Sequence, residues 1–372
     1  MNSSVRIGLI ILLVTISSDA ILARSVPVAF MASLSNPTSD ISLTDFNLEK
    51  GVKVFFSVFP EAKSELSLVT YDNQGEVKKT VELGQVILNS QTKLLIGISK
   101  SNQALSLIPV LANREIVFMT PMATHDEITL GHPNFFRTTF SDSLQAKSLA
   151  DFSTKKFKPK RLLICTNLDT AHSVGLSKTF RAAVPESTQV SELKYLGSSL
   201  DKKSILDQIR AVKPDLIFIP DYVHIATEIV RLAYAENNQI VFIGSDGWGG
   251  REVLEAKLSS LPELKAFYAT HWAPDIETPV NHLFKKGWKK LYPAEPYSLG
   301  AAMMFDTLKI ARETLKKIKT TNPTSAEIRK VLLSSSFDTT TGPIAYYKAQ
   351  DPSPNRQIVI LQFSQGKHSY VK

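Results

Sequence analysis

Short apolar runs alternate with longer segments of helical periodicity along most of the chain, and this alternation constrains the fold more than any other feature. Each run is five or six residues long and rich in apolar, often β-branched side chains. Such runs between helical segments are typical of βαβ units with buried parallel strands. We therefore predict an α/β fold of doubly wound parallel sheets, with strands at residues 27–32, 66–71, 94–98, 116–120, 161–166, 216–220 and 240–244.

Two of these βαβ units resemble each other. Residues 96–118 pass from an apolar strand through a polar turn and a helix to a second strand containing Ile-Val-Phe, and residues 217–242 follow the same order. The 372 residues are enough for two ordinary domains. We expect two lobes of one architecture; a single open sheet of repeated units is the alternative. Residues 279–318 then read as helices, and the tail as strands at 342–347 and 357–363.

The first 23 residues have the layout of a secretory signal peptide. One Arg lies near the start, an apolar run covers 7–16, and small residues such as Ala20 and Ala23 follow. The run is short for a membrane span, although an uncleaved anchor has the same layout. The one cysteine, Cys165, lies far from this segment, inside an apolar run, so we expect a buried thiol, no disulfide and no lipid anchor. These features predict an exported protein, most simply a periplasmic one.

The net charge of +8 belongs to the mature chain, because residues 1–23 contain one Arg and one Asp. Lysines form only short runs, at 155–160, 285–290 and 316–319, with no zinc-finger spacing and no basic-aromatic RNA motif. Solvated surface charge explains this pattern better than nucleic-acid binding. We expect no nucleic-acid partner.

The common catalytic signatures are absent from the sequence. It contains no GxSxG, no GxxxxGK[ST], no HExxH and no GxGxxG motif after a strand. The seven His residues have no metal-ligand spacing, and the segment 125–127, His-Asp-Glu, reads as a solvated helix start. We therefore expect no catalytic residue, no metal site and no cofactor.

Small polar residues follow three of the predicted strands, at 99–102, 121–124 and 245–248. Ligands of open α/β sheets bind at such carboxyl ends, where the following helices present free N–H groups. The first two segments suit an anion, and Asp246 in the third suits a cation. An α-amino acid would engage all three, although each residue taken singly is more simply explained as an N-cap or a turn residue.

Several longer stretches resemble the type I periplasmic binding proteins of the leucine/isoleucine/valine-binding group. In that group one strand ends in Ile-Gly before a Ser-rich turn, the next ends in Ser-Pro-x-Ala-Thr, and a Phe-Arg-Thr segment leads across the hinge. The resemblance covers nearly the whole chain after residue 23. It is carried by IGISKSNQALSLIPVLANREIVFMTPMATHDEIT, FFRTTFSDSLQAKSLADF, PKRLLICTNLDTAHSVGLSKTF, SILDQIRAVKPDLIFIPDY, FIGSDGW, AEPYSLGAAMMFDTLKIA and FDTTTGPIAYY.

The resemblance implies two lobes joined by three hinge crossings, with a ligand in the cleft and lobe closure on binding. Lobe 1 would comprise residues 25–141 plus 274–345, and lobe 2 residues 142–273 plus 346–372. Matching motif positions imply these ligand-binding residues: Ser99, Lys100, Ser101, Met122, Ala123, Thr124, His172, Tyr222, Asp246 and Trp248.

The same motif match implies a role for some of these residues. Ser101 and Thr124 would donate hydrogen bonds to a ligand carboxylate. The carbonyl of Met122 and the carboxylate of Asp246 would face an ammonium group. Tyr222 would cover the ligand from the second lobe.

Three departures from the group's pattern concern the ligand more than the fold. His172 begins a segment that reads Tyr-Gly-x-Gly in the group, and Lys100 stands where small residues are usual. Residues 35–50 match poorly. These changes point to a ligand with an acidic or larger side chain, or to one that is not an amino acid.

The sequence thus predicts the solute-binding component of an ABC importer, with a small-molecule ligand such as an amino acid and a permease in the inner membrane as partners. A non-transport binding module of the same fold, such as an amide or urea sensor or an envelope-enzyme regulator, is the alternative. An exported hydrolase using Asp246 and His172 is a weaker alternative, because no oriented nucleophile–base pair can be named.

Overall fold

The structure is a computed structural model that describes residues 25–35, 40–320 and 322–371. The predicted signal peptide lies outside these residues. Among the helices described, none is both long and apolar enough to cross a membrane.

Five parallel strands form the sheet of the first lobe, in the order β2-β1-β3-β4-β5. Strands β3 and β4 are buried along their whole length because helices cover both faces of the sheet. The elements of this part are β1 (Val26–Ala32), α1 (Asp40–Val58), α2 (Ala62–Glu65), β2 (Leu66–Asp72), α3 (Val77–Leu88), β3 (Leu94–Gly97), α4 (Ser101–Ser106), α5 (Ile108–Leu111), β4 (Val117–Thr120), a 3-10 turn (Asp126–Ile128) and β5 (Phe135–Arg137).

Seven strands form the second sheet, in the order β14-β13-β10-β9-β8-β6-β7, and the last two strands of the chain add to it antiparallel. Its first part contains α6 (Asp142–Phe157), β6 (Arg161–Asn167), α7 (Ala171–Ala183), β7 (Gln189–Tyr195), a 3-10 turn (Gly197–Ser199), α8 (Lys202–Val212), β8 (Leu216–Ile219), α9 (Val223–Glu236), β9 (Val241–Gly244), a 3-10 turn (Asp246–Trp248), α10 (Arg251–Leu258) and β10 (Lys265–Thr270).

The chain then returns to the first lobe before it completes the second sheet. The returning helices pack on α1 and on the first sheet, in one core with Phe30, Phe55 and Phe305. The remaining elements are α11 (Pro279–Leu291), α12 (Leu299–Lys317), α13 (Ser325–Leu333), the hairpin β11 (Ser336–Thr339) and β12 (Gly342–Ala345), and then β13 (Val359–Ser364) and β14 (Lys367–Tyr370).

The predicted duplication is confirmed by the strand order. In each sheet the first five strands along the chain lie in the order second, first, third, fourth, fifth. Residues 96–118 connect the third strand to the fourth in one sheet, and residues 217–242 do so in the other. The chain therefore forms two doubly wound lobes rather than a single open sheet.

The chain crosses between the lobes three times, after β5, after β10 and after β12. The boundaries suggested by the resemblance, at 141/142, 273/274 and 345/346, lie in these connections and stay a prediction. Polar contacts tie the first crossing to α12 and to the third crossing. Thr138 Oγ1 lies 2.9 Å from Thr307 Oγ1, and the Tyr346 hydroxyl donates to the carbonyl of Arg137 at 3.1 Å.

Gly97 ends β3 with a φ of +121°. A Cβ on this residue would lie 2.1 Å from the carbonyl oxygen of Met31 in the neighbouring strand. We therefore expect Gly97→Ala to lower the free energy of unfolding by about 2 kcal/mol in urea denaturation.

The matched control for this substitution is Gly131→Ala. Gly131 also has a positive φ, +79°, but a Cβ there would have no atom within 4 Å. Its replacement tests backbone strain without the steric clash. Equal losses for the two variants would contradict the close approach of β3 to β1 at Gly97.

Candidate functional site

A cavity of about 450 Å³ lies between the two sheets, at the carboxyl ends of parallel strands from both lobes. Open α/β sheets bind ligands at this edge. Eight of the ten predicted residues line the cavity: Ser99, Lys100, Ser101, Met122, Thr124, His172, Tyr222 and Asp246.

The other two predicted residues, Ala123 and Trp248, are buried outside the lining. The Trp248 indole packs over Gly244, where a Cβ would lie 2.2 Å from the ring, and its Nε1 donates to the carbonyl of Ile219 at 3.1 Å. Trp248 therefore belongs to the core under β8 and β9, and its side chain supports the segment that carries Asp246.

His172 bridges the two lobes at one end of the cavity. Its Nδ1 lies 3.2 Å from Thr124 Oγ1 and 3.3 Å from Asp142 Oδ1. Its Nε2 lies 3.2 Å from Ser245 Oγ and 3.6 Å from Asp246 Oδ1. Each ring nitrogen thus faces one carboxylate, and the side chain is 3% exposed.

Asp246 has several protein partners besides His172. Gln145 Nε2 donates to its Oδ1 at 2.6 Å, and Gln145 Oε1 accepts from its backbone N–H at 2.8 Å. His271 Nε2 lies 3.0 Å from Oδ2, while His271 Nδ1 lies 2.6 Å from Thr139 Oγ1 in the hinge. The carboxylate is therefore held by groups from α6, α7 and the hinge.

These contacts shift the pKa values of both side chains. Burial by itself would lower the pKa of His172, but the carboxylates of Asp142 and Asp246 outweigh burial and raise the pKa to about 9. Burial would likewise raise the pKa of Asp246, but His172 and His271 lower it to about 2. At neutral pH His172 is an imidazolium between two carboxylates.

The cluster of Asp142, His172 and Asp246 also has the residue types of a metal site, with one ligand atom from each residue lying within 4.8 Å of the others. A metal ion would need one imidazole nitrogen to face both carboxylates, whereas here each carboxylate takes a different nitrogen. The arrangement is that of a buried ion-pair cluster, with the His172 ring between the two carboxylates.

Ser101 and Lys100 begin α4 on the cavity wall of the first lobe. The N-cap position belongs to Lys100, without a side-chain capping bond, so Ser101 is the first helical residue and not the cap. Ser101 Oγ accepts a hydrogen bond from the backbone N–H of His125 at 3.3 Å, which leaves its hydrogen for a ligand.

Aromatic side chains line the cavity on both sides. The Lys100 ammonium lies 4.4 Å from the centroid of the Tyr222 ring, which stacks on His172 at 5.6 Å. Sequence reasoning missed three aromatic residues of the lining, Trp272, Trp288 and Tyr297. The available signal was the concentration of Trp and Tyr in residues 272–297, next to a hinge crossing.

Comparison with known proteins identifies the family. The family model described as "Periplasmic binding protein" matches residues 25–367. The chain belongs to the periplasmic binding protein family. Proteins of this family are substrate-binding proteins and not enzymes.

This periplasmic binding protein is similar to the Leu/Ile/Val-binding protein of Escherichia coli, with 23% identity over 90% of each chain. Its fold is that of the leucine-binding protein LivK of Thermotoga maritima, with a TM-score of 0.84, 21% identity, and 93% and 98% of the two chains covered. A solute-binding protein of an ABC transporter from R. palustris, in complex with benzoate, has a TM-score of 0.75, 19% identity, and 93% and 95% coverage.

The two lobes of this periplasmic binding protein also touch at two further points. Asn102 Oδ1 accepts from the backbone N–H of Ala171 at 3.1 Å, and Gly249 lies against Leu299, whose Cδ2 would be 2.8 Å from a Cβ at that position. Together with the contact between Thr124 and His172, these interactions describe a closed arrangement of the lobes.

Proposed function

We propose that the chain is the periplasmic solute-binding component of an ABC importer, and that it takes a small carboxylate-bearing molecule into the cavity between its lobes. The observation that carries the proposal is the convergence of Ser99, Lys100, Ser101 and Thr124 on one wall of that cavity. Hydroxyl and ammonium donors in a partly desolvated cavity form charge-assisted hydrogen bonds with a carboxylate.

Several relatives support this proposal. The E. coli relative is named for the binding of leucine, isoleucine and valine, and the R. palustris structure contains benzoate. All of these molecules carry a carboxylate, whereas only the amino acids carry an ammonium group. We therefore infer that the ligand of this chain also has a carboxylate group.

Closure of the lobes would couple binding to transport. Groups from both lobes contribute to the cavity, so a ligand completes its contacts only when the lobes are closed, and binding shifts the population toward that form. A permease in the inner membrane would recognise the closed shape. Export through the signal peptide at 1–23 would place the protein in the periplasm.

The test is a thermal-shift screen of residues 25–372 against carboxylic acids, amino acids and amides. A ligand bound only by the folded state raises the melting temperature. We expect at least one carboxylate to do so at millimolar concentration. A flat screen across all three classes would contradict solute binding and favour a partner-regulating role.

The Lys100→Met variant tests the proposed carboxylate wall. We expect the acid found in the screen to bind at least about ten-fold more weakly, equivalent to about 1.4 kcal/mol, because one charge-assisted contact is lost. Calorimetric titration measures the change. The control is Lys203→Met on α8, where the side chain is 86% exposed and far from the cavity lining. Equal effects of the two substitutions would contradict a role for Lys100 in the site.

A further inference from the structure

We propose that the ligand is an organic acid that lacks an α-ammonium group, because the side chain of His172 already lies beside the carboxylate of Asp246, which such a group would use. This inference rests on the proposed function and specifies its ligand class. It replaces the amino acid suggested by the motif match.

The first step of the inference is geometric. In the motif match, an ammonium would face the carboxylate of Asp246 and the carbonyl of Met122. In the structure the imidazole ring of His172 lies against this carboxylate, with Nε2 3.6 Å from Asp246 Oδ1, and its Nδ1 lies 3.2 Å from Oγ1 of Thr124, two residues after Met122. A side chain of the protein therefore already contacts the carboxylate that would hold a ligand ammonium.

The second step concerns the acceptors of Asp246. Oδ1 accepts from Gln145 and faces His172, and Oδ2 faces His271. The carboxylate is also only 10% exposed. A ligand ammonium would therefore have to share these oxygens with donors that the protein already supplies.

The third step is electrostatic. Because its two nitrogens face Asp142 and Asp246, the His172 ring already provides a positive charge beside the carboxylate that a ligand ammonium would use. A ligand ammonium at Asp246 would lie close to this imidazolium, and the repulsion between the two cations would offset part of its attraction to the carboxylates. The Lys100 ammonium, 4.4 Å from the centroid of the Tyr222 ring, adds a further cation to the cavity lining and favours a negatively charged ligand.

The rest of the cavity indicates what kind of group is attached to the carboxylate of the ligand, which we call the body of the acid. Trp272, Tyr297 and Leu299 present apolar surface, and about 450 Å³ is room for a group larger than the side chain of valine. We infer a monocarboxylate with an aromatic or branched aliphatic body, with the carboxylate directed at Ser99, Lys100 and Ser101.

Matched pairs of ligands test the inference. Each pair consists of an amino acid and the acid that lacks its amino group: phenylalanine with 3-phenylpropanoate, and leucine with 4-methylpentanoate. We expect calorimetric titration of residues 25–372 to show at least about ten-fold tighter binding of the acid in the better-binding pair.

The outcomes separate the inference from the proposed function. Tighter binding of the amino acid would overturn the inference and leave solute binding intact. A failure of both members of each pair, together with a flat thermal-shift screen, would overturn both.

The His172→Gln variant tests the cause of the preference. Glutamine removes the positive charge, so the acid's advantage over the amino acid is expected to fall at least about five-fold, because the two carboxylates then lack a counter-ion. The control is His282→Gln, an exposed residue outside the cavity lining, which should leave the preference unchanged. An unchanged preference in folded His172→Gln would overturn the role of His172, and the titrations of the parent protein remain decisive if that variant does not fold.

Discussion

Replacing Asp306 with alanine is expected to lower the free energy of unfolding by about 3–5 kcal/mol, because it leaves the guanidinium of Arg356 buried without its counter-ion. Both side chains are inaccessible to solvent, with 0% and 1% exposure, and Arg356 Nη2 lies 3.2 Å from Asp306 Oδ2. Asp306 also accepts from the backbone N–H and the hydroxyl of Thr340, each at 2.8 Å, and Arg356 donates to the carbonyl of Thr138 at 2.8 Å. The pair thus joins α12 to two of the hinge crossings.

The double variant Asp306→Leu, Arg356→Met is to be compared with Asp306→Ala. Apolar side chains of similar volume remove both charges at once, so we expect it to recover a large part of the lost stability. Asp207→Ala, which breaks the exposed pair between Lys203 and Asp207, should have a far smaller effect. Urea denaturation measures all three, and an Asp306→Ala loss no greater than that of Asp207→Ala would contradict the account of this pair.

Stability is expected to fall by about 3 kcal/mol as the pH rises from 6.5 to 9, because the unfolded chain releases the His172 proton above pH 6.5 whereas the folded protein keeps it until about pH 9. A pKa raised on folding stabilises the protein fully below the unfolded value of 6.5, and the gain disappears as the pH passes the folded value of about 9. The carboxylates that face His172 are Asp142 on α6 and Asp246 after β9, with Asp221 after β8 as a more distant charge.

Comparison with His172→Gln isolates this effect from the other groups that titrate in the same range. We expect the difference in unfolding free energy between parent and variant to shrink steadily between pH 6.5 and 9, measured by urea denaturation in matched buffers. His282→Gln serves as the control, since its imidazole is 59% exposed. A difference that stays constant across this range would contradict an imidazolium at His172.

The buried strands were predictable because their sequences are almost entirely apolar. All of the predicted runs in the two sheets are strands of the structure, including β3 and β8. The strand β7 was missed because it lies at a sheet edge and mixes exposed polar side chains, such as Gln189 and Glu192, with buried Leu193 and Tyr195. The strand β5 has only three residues, too few for a periodic signal.

The local chemistry of individual segments was also readable. The segment 125–127 was predicted as a helix start, and His125 Nδ1 accepts from the backbone N–H of Glu127 at 3.3 Å at the start of a 3-10 turn. Cys165 is fully buried, as expected from its apolar run.

The ion-pair cluster around Asp246 could not be predicted in the same way. Asp142, Gln145 and His271 lie far from Asp246 in the sequence and meet it only because α6 and the hinge pack against the carboxyl end of β9. Asp142 and Gln145, three residues apart on one helix face, were the one local signal. A motif match gives a residue's position in the sequence, but it does not show which residues contact it in the folded protein. Those contacts favour a different ligand from the one that the motif match implies.

The intrinsic fluorescence of the three tryptophans gives the most direct test of the central claim, that an organic acid binds in the cavity between the lobes. Trp272 and Trp288 line the cavity, whereas Trp248 is buried outside it. In a titration with the tightest-binding non-aromatic acid, we expect the emission change to persist in Trp248→Phe and to be largely lost in Trp272→Phe, Trp288→Phe. The reverse pattern, with the signal carried by Trp248 and unaffected by replacement of the other two, would contradict binding in this cavity.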